Sequence, residues 1–252
     1  LVGMTYMDYL VEYLKTQRAA GGKVFITGLD SHVSYSTHNR ALNISLTSSA
    51  SKLSQRQKRL RNLATERDYQ YGSQVDWNTS YLKKFHFFEI RPIERKYNCL
   101  KGAYKDLNVS WEIADITFNE GQAFTAETFN TTAMVLKLNR KIPVFTMEKE
   151  GMFGKIFDRV IAFKGDKDIN FDMYPNFSKK FLLMGSNESE IRNFFTNDVI
   201  CFFENNQIYH VESNGEALYI FDKIKLARTD ETIAFIDYGK ELATLLKEKA
   251  TK

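Results

Sequence analysis

Four histidines, two cysteines and a scatter of carboxylates are the raw material from which a chemical site in this chain would have to be built. His32 and His38 share a polar stretch with Asp30 and could in principle hold a metal. Their spacing matches no compact zinc motif and the stretch has no cysteine, so it reads as a polar loop. His86 and His210 sit among aromatic and β-branched residues and read as packed strand residues. Asp166, Asp168, Asn170 and Asp172 alternate like the first half of a calcium loop, but Phe171 stands where the turn glycine belongs and Phe177 where the bidentate glutamate belongs. Alternation along a strand edge accounts for them better. Gly21-Gly22-Lys23 is followed by Val24, not by the Ser or Thr of a phosphate loop. The nucleophile elbow, the zinc-protease helix and the dinucleotide glycine pattern are all missing. No catalytic, cofactor-binding or metal-ligating residue is therefore assigned, and neither a metal nor a cofactor is expected.

Charge is the stronger signal. The formal net charge is +4, and the excess is concentrated in one helix-sized stretch. Lys52, Arg56, Lys58, Arg59, Arg61 and Arg67 stand there against only Glu66 and Asp68. Leu53, Leu60, Leu63 and Ala64 give the same stretch a thin apolar stripe at helical spacing. A solvated helix face is the plain reading. An anionic membrane surface is the sharper one, since cations grouped on one helix are drawn to acidic headgroups. Nucleic acid ranks below it, because phosphate-tracking surfaces interleave basic residues with aromatics and this run has neither Trp nor Phe.

The elements that must position these residues follow from pattern. At 252 residues with 43% hydrophobic and 26% charged content, the chain can bury a sizeable core. Aromatics at 14% with only 3 prolines favour packed sheet and helix over a disordered scaffold. An amphipathic helix is predicted over 4–18, then a short strand at 24–27 and a polar loop to 51. A helix follows from about Ser54 to Arg67. Strands are predicted at 85–90, 100–104, 109–118, 123–138, 144–148 and 159–164, forming an antiparallel meander. Lys105-Asp106-Leu107-Asn108 supplies hairpin turn chemistry between two of them. The C-terminal third reads β-α-β-β-α: a strand at 180–185, a helix to 203 capped by Asn187 with Glu190, strands at 207–212 and 217–226 joined through Ser213-Asn214-Gly215, and a helix from Thr229 or Asp230 to about 249. The fold class is thus α+β, with residues 1–51 as an N-terminal segment and 52–252 as the β-rich globular domain.

No window approaches the 18 consecutive apolar residues of a membrane-crossing helix, and residues 1–14 lack the basic front and apolar middle of a signal peptide. Cys99 and Cys201 have no motif spacing and fit a reducing compartment. Six Asn-x-Ser/Thr sites, at Asn43, Asn78, Asn108, Asn130, Asn176 and Asn187, matter only in a secreted chain and are read as chance.

Several segments are similar to an uncharacterised family of bacterial membrane-associated proteins. They are LATERDYQY (63–71), NCLKGAYKDLNVSWEIAD (98–115), IPVFTMEKE (142–150) and DINFDMYPNFSKKFLLMGSNESEIRNFF (168–195). The resemblance covers about residues 58–250 and implies a basic juxtamembrane helix followed by a cytoplasmic β-rich domain of unknown function. Residues 1–51 depart from the family in containing no transmembrane hairpin. The expected function is non-enzymatic: a cytoplasmic binding or assembly domain, peripheral to the membrane, whose partner is an anionic membrane surface or another protein. The alternative is a hydrolase-like enzyme whose residues converge only in the fold.

Overall fold

The computed structural model describes residues 54–120, 127–149, 167–207 and 209–248. The chain divides into two compact units between Ser54 and Gln55, and every described residue except Ser54 belongs to the second. The helix and strand predicted at 4–18 and 24–27, His32, His38, the Gly-Gly-Lys stretch, Lys52, Leu53 and the strand predicted at 159–164 lie outside the described residues.

Helix α1 (Gln55–Arg67) leads into a nine-stranded antiparallel sheet. Its strands are β1 (Gln70–Gly72), β2 (Ile93–Tyr104), β3 (Val109–Glu120), β4 (Glu127–Lys137), β5 (Val144–Lys149), β6 (Lys167–Asp168), β7 (Phe181–Gly185), β8 (His210–Asn214) and β9 (Ala217–Phe221). Four further helices are α2 (Pro175–Lys180), α3 (Glu188–Phe194), α4 (Asn197–Asn205) and α5 (Thr229–Glu248). The architecture is α+β, as the residue pattern implies.

The spatial order β1-β2-β3-β4-β9-β8-β5-β7-β6 departs from a simple meander. Strands β2, β3 and β4 are consecutive neighbours, and the 3-10 turn Lys105–Leu107 with left-handed Asn108 closes the first hairpin, as its residues predict. The β8–β9 hairpin then inserts between β4 and β5. Its turn uses Gly215 at φ +94° and the Asn214 side chain, which accepts from the Glu216 and Ala217 amides. Gly102, facing Trp111 across β2–β3, has a different cause: a Cβ there would come within 2.4 Å of the indole ring.

Two predicted elements are corrected. Residues 85–90 do not form a strand: they hold the 3-10 turn His86–Phe88, which follows another at Leu82–Lys84. Phe85, Phe87 and Phe88 are all buried, so burial does not alternate as a pleated strand requires. The single helix predicted to 203 is broken into α3 and α4 by Phe195 and Thr196, whose backbone leaves the helical region. The break lets Phe194, Phe195, Val199, Ile200 and Phe203 all turn inward, while Phe202 stays half-buried. Asn187 caps α3 as predicted, accepting from the Glu190 amide.

Both faces of the sheet are covered. On one face the helices close a large core in which Leu63, Trp111, Met134, Phe145, Phe195, Val211, Ile220 and Leu242 are buried. On the other, residues 73–92 lie across the sheet and press Leu82, Phe85, Phe87 and Phe88 onto Ile116, Phe118, Val135, Tyr219 and Phe221.

Candidate functional site

Helix α1 forms as its sequence directs, since Gln, Lys, Arg and Leu are good helix formers and Leu60, Leu63 and Ala64 fall on one stripe. That stripe is buried, with Leu60 2% and Leu63 4% exposed. The apolar stripe read from the sequence is therefore not available to a lipid surface at Leu60 and Leu63. They hold the helix on the sheet instead.

The basic residues separate into two groups. Arg56 turns inward, and its Nε and Nη2 donate to both carboxylate oxygens of Asp115 at 2.8 and 2.6 Å. Its Nη1 donates to the Ala227 carbonyl, which ties α1 to the start of α5. Asp115, 1% exposed, also accepts from Asn98 at 2.7 Å and Thr132 at 2.6 Å, so both its oxygens are fully engaged. This is a structural lock, and the Arg56 charge is neutralised within it. Lys58, Arg59, Arg61 and Arg67 are exposed, and no carboxylate among the described residues pairs with them. Lys58, Arg59 and Arg61 share the outward side, with Arg67 at the C-terminal end. Lys58 and Arg59 lie near the positive end of the helix dipole, and the first turn holds no acidic residue. Helix stability therefore does not explain Lys58 and Arg59, whereas Arg67 suits the C-terminal end.

The second face of the sheet carries charge that the sequence did not reveal. Lys96, 1% exposed, reaches Asp76 at 3.0 Å, Glu112 at 2.9 Å and the Tyr81 hydroxyl at 3.1 Å, with its ammonium over the Tyr81 ring. Burial would raise the Glu112 pKa, but hydrogen bonds from Tyr81, Lys96 and Lys101 outweigh it and hold Glu112 below the usual carboxylate range. Burial, aided by the nearby Glu112 charge, pushes the Cys99 thiol up to about 12, so that cysteine is no nucleophile. Arg91 is buried, pairs with Glu120 and lies over the Phe87 ring.

One cluster has catalytic residue types. The His210 ring nitrogens stand 3.7 Å from Glu148 and 3.7 Å from Glu212. Glu212 also accepts the backbone N–H groups of His86 and Phe87, which fastens the 3-10 turn to the sheet. His86 therefore belongs to a turn and not to the expected strand. Phe87, Tyr219 and Phe221 enclose the imidazole, and His210, Glu148 and Glu212 are 3–6% exposed. All three are buried, and Glu212 holds the covering segment.

Asp168 ends β6 at the sheet edge and accepts from Asn170 at 3.0 Å, while Asp172 is exposed beyond it. Among the described residues no helix is long and apolar enough to cross a membrane.

No family model matches this chain, and no curated protein matches it. Among solved structures its fold is similar to that of the mycobacterial trehalose monomycolate transport factor A, TtfA, at a TM-score of 0.55 and 10% identity over 75% of this chain and 93% of that one. At that identity the likeness is one of fold.

Proposed function

We propose that this domain is a non-enzymatic, cytoplasmic binding or assembly module that docks on an anionic membrane surface through the outward face of α1. One observation carries the reading: Lys58, Arg59 and Arg61 stand exposed on a helix anchored by its opposite side, without carboxylate partners among the described residues, and Lys58 and Arg59 lie toward the end where the dipole disfavours cations. The fold likeness to a protein named as a transport factor is in keeping with a module that binds rather than catalyses.

With Leu60 and Leu63 buried, the attraction is electrostatic alone. Each basic residue near an acidic surface contributes about 1 kcal/mol, screened within a Debye length. Sedimentation with vesicles should show binding to anionic but not zwitterionic lipid, lost at high salt. Replacing Lys58, Arg59 and Arg61 together with Gln should weaken it on the order of 100-fold. Wild-type protein that ignores anionic vesicles at low salt would overturn the proposal. Tighter binding to nucleic acid oligomers than to vesicles would transfer the helix to the other polyanion.

A further inference from the structure

A second cationic surface lies away from α1. Residues 138–143, which join β4 to β5, cross the β8–β9 turn and are fixed there by the Ile142 amide on the Gly215 carbonyl at 3.0 Å and the Leu138 amide on the Glu216 carbonyl at 3.2 Å. Between this crossing and the 3-10 turn Leu82–Lys84 runs an open groove of two joined depressions, about 520 and 780 Å³. Lys84, Arg140, Lys141, Asn214 and Glu216 line both. The smaller adds Lys137 and Tyr81, so four cations face one carboxylate. The larger adds Glu190 and Asn193, with Phe194 and Pro143 as apolar wall.

The groove is held from behind. Arg140 Nη1 donates to the Leu246 carbonyl at 2.7 Å, at the C-terminal end of α5. Tyr81, gripped by Glu112 and Lys96, presents its ring to the Lys137 ammonium at 5.4 Å. Lys84, Lys137 and Lys141 are exposed and have no carboxylate partner among the described residues, although Glu216 lines the same groove. Unneutralised cations on fixed backbone, beside carboxylate and amide side chains that accept from hydroxyls, fit a ligand with an anionic end and a polyol end.

We infer that this groove binds a phosphate ester of a polyol, the phosphate among Lys84, Lys137, Arg140 and Lys141 and the hydroxyls toward Glu190 and Asn193. The site is independent of the α1 face. Titration calorimetry with glycerol 3-phosphate should show saturable binding at one site and none with glycerol. The Lys137→Gln, Lys141→Gln double variant should weaken it at least about tenfold without changing the melting temperature, because both side chains are exposed. The triple Gln variant of α1 should bind glycerol 3-phosphate like wild type. Absence of saturable binding at millimolar glycerol 3-phosphate, or equal weakening by the α1 variant, overturns the inference. The source of the phosphate is read from phosphatidylglycerol vesicles in the α1-variant background. Residual vesicle binding that Lys137→Gln, Lys141→Gln removes places the phosphate on a lipid headgroup. No residual vesicle binding, with glycerol 3-phosphate binding intact, places it on a soluble molecule. Wild-type protein that ignores vesicles but binds glycerol 3-phosphate sinks the α1 proposal and leaves this one standing.

Discussion

The two faces of the sheet reach the same degree of burial by different physics. The helix-covered face is closed mainly by hydrocarbon and aromatic contact, with Phe195 among Phe145, Phe171, Phe177, Phe194 and Phe203, and with the Arg56–Asp115 lock under α1 as its buried ion pair. The face under residues 73–92 is closed by aromatics and ions together: Lys96 with Asp76 and Glu112, Arg91 with Glu120, His210 with Glu148 and Glu212. Helices carry their own backbone hydrogen bonds and need only an apolar stripe to dock. A covering segment with two short 3-10 turns leaves more of its backbone groups unmet, and the sheet supplies partners for some of them, as Glu212 does for His86 and Phe87. Apart from the Arg56–Asp115 lock under α1, charge is buried where irregular backbone must be held in place.

That difference predicts how substitutions on each face should behave. Phe195→Ala should cost about 3–5 kcal/mol by opening a cavity in the first face. Lys96→Met should cost about 1–3 kcal/mol, because Asp76 and Glu112 lose their buried partner and Glu112 keeps only Tyr81 and Lys101. Adding Glu112→Leu to Lys96→Met should recover part of that loss, since an apolar pair avoids the desolvation of both ions. Urea denaturation of the two single variants and the double variant reads the coupling directly. A double variant less stable than Lys96→Met alone would show that the second face depends on these ions as the first depends on its rings.

The next effect is a pH dependence confined to the second face. Burial alone would pull the His210 imidazole down, but Glu148 and Glu212 outweigh it and hold the folded-state pKa above the ordinary value of 6.5. A raised pKa means that the charged form is favoured in the folded protein. Its stabilisation is fully present below the unfolded value and is lost as pH rises through the folded one. Denaturation from about pH 5 to about pH 9 should show stability declining on the alkaline side, and His210→Gln should flatten that decline. An unchanged slope in the variant would mean that the imidazole stays neutral between its two glutamates.

The sequence made the first face legible and hid the second for one reason. Alternation of apolar and polar residues marks one buried side of a strand, and the other side is then taken to meet water. Glu112 in β3 and Glu212 in β8 occupy such positions, and nothing local says that 73–92 folds over them. The run of Phe85, Phe87 and Phe88 was the available clue, because no half-exposed strand needs three rings out of register with its period. The insertion of the β8–β9 hairpin between β4 and β5 was equally hidden, since pairing is decided by distant partners. Of the basic cluster, sequence found the helix and its stripe. It could not separate Arg56 from its neighbours, because Asp115 is 59 residues away.

The smallest expected effect tests that separation within α1. Lys58, Arg59 and Arg61 touch no carboxylate among the described residues, and Lys58 and Arg61 stand one turn apart as like charges. Gln keeps nearly the same helix propensity as Lys and Arg. Replacing the three with Gln therefore removes mutual repulsion and an unfavourable dipole interaction while leaving packing intact, so stability should change by no more than about 0.5 kcal/mol per site. Arg56→Gln in the same helix deprives buried Asp115 of its bidentate partner and should cost more than about 1.5 kcal/mol. Added salt sharpens the contrast: it should raise the melting temperature of wild type by screening the outward cations and leave the triple variant nearly unmoved. If the triple variant lost as much stability as Arg56→Gln, the outward cations would have structural partners after all, and the face would no longer be free to meet an anionic surface.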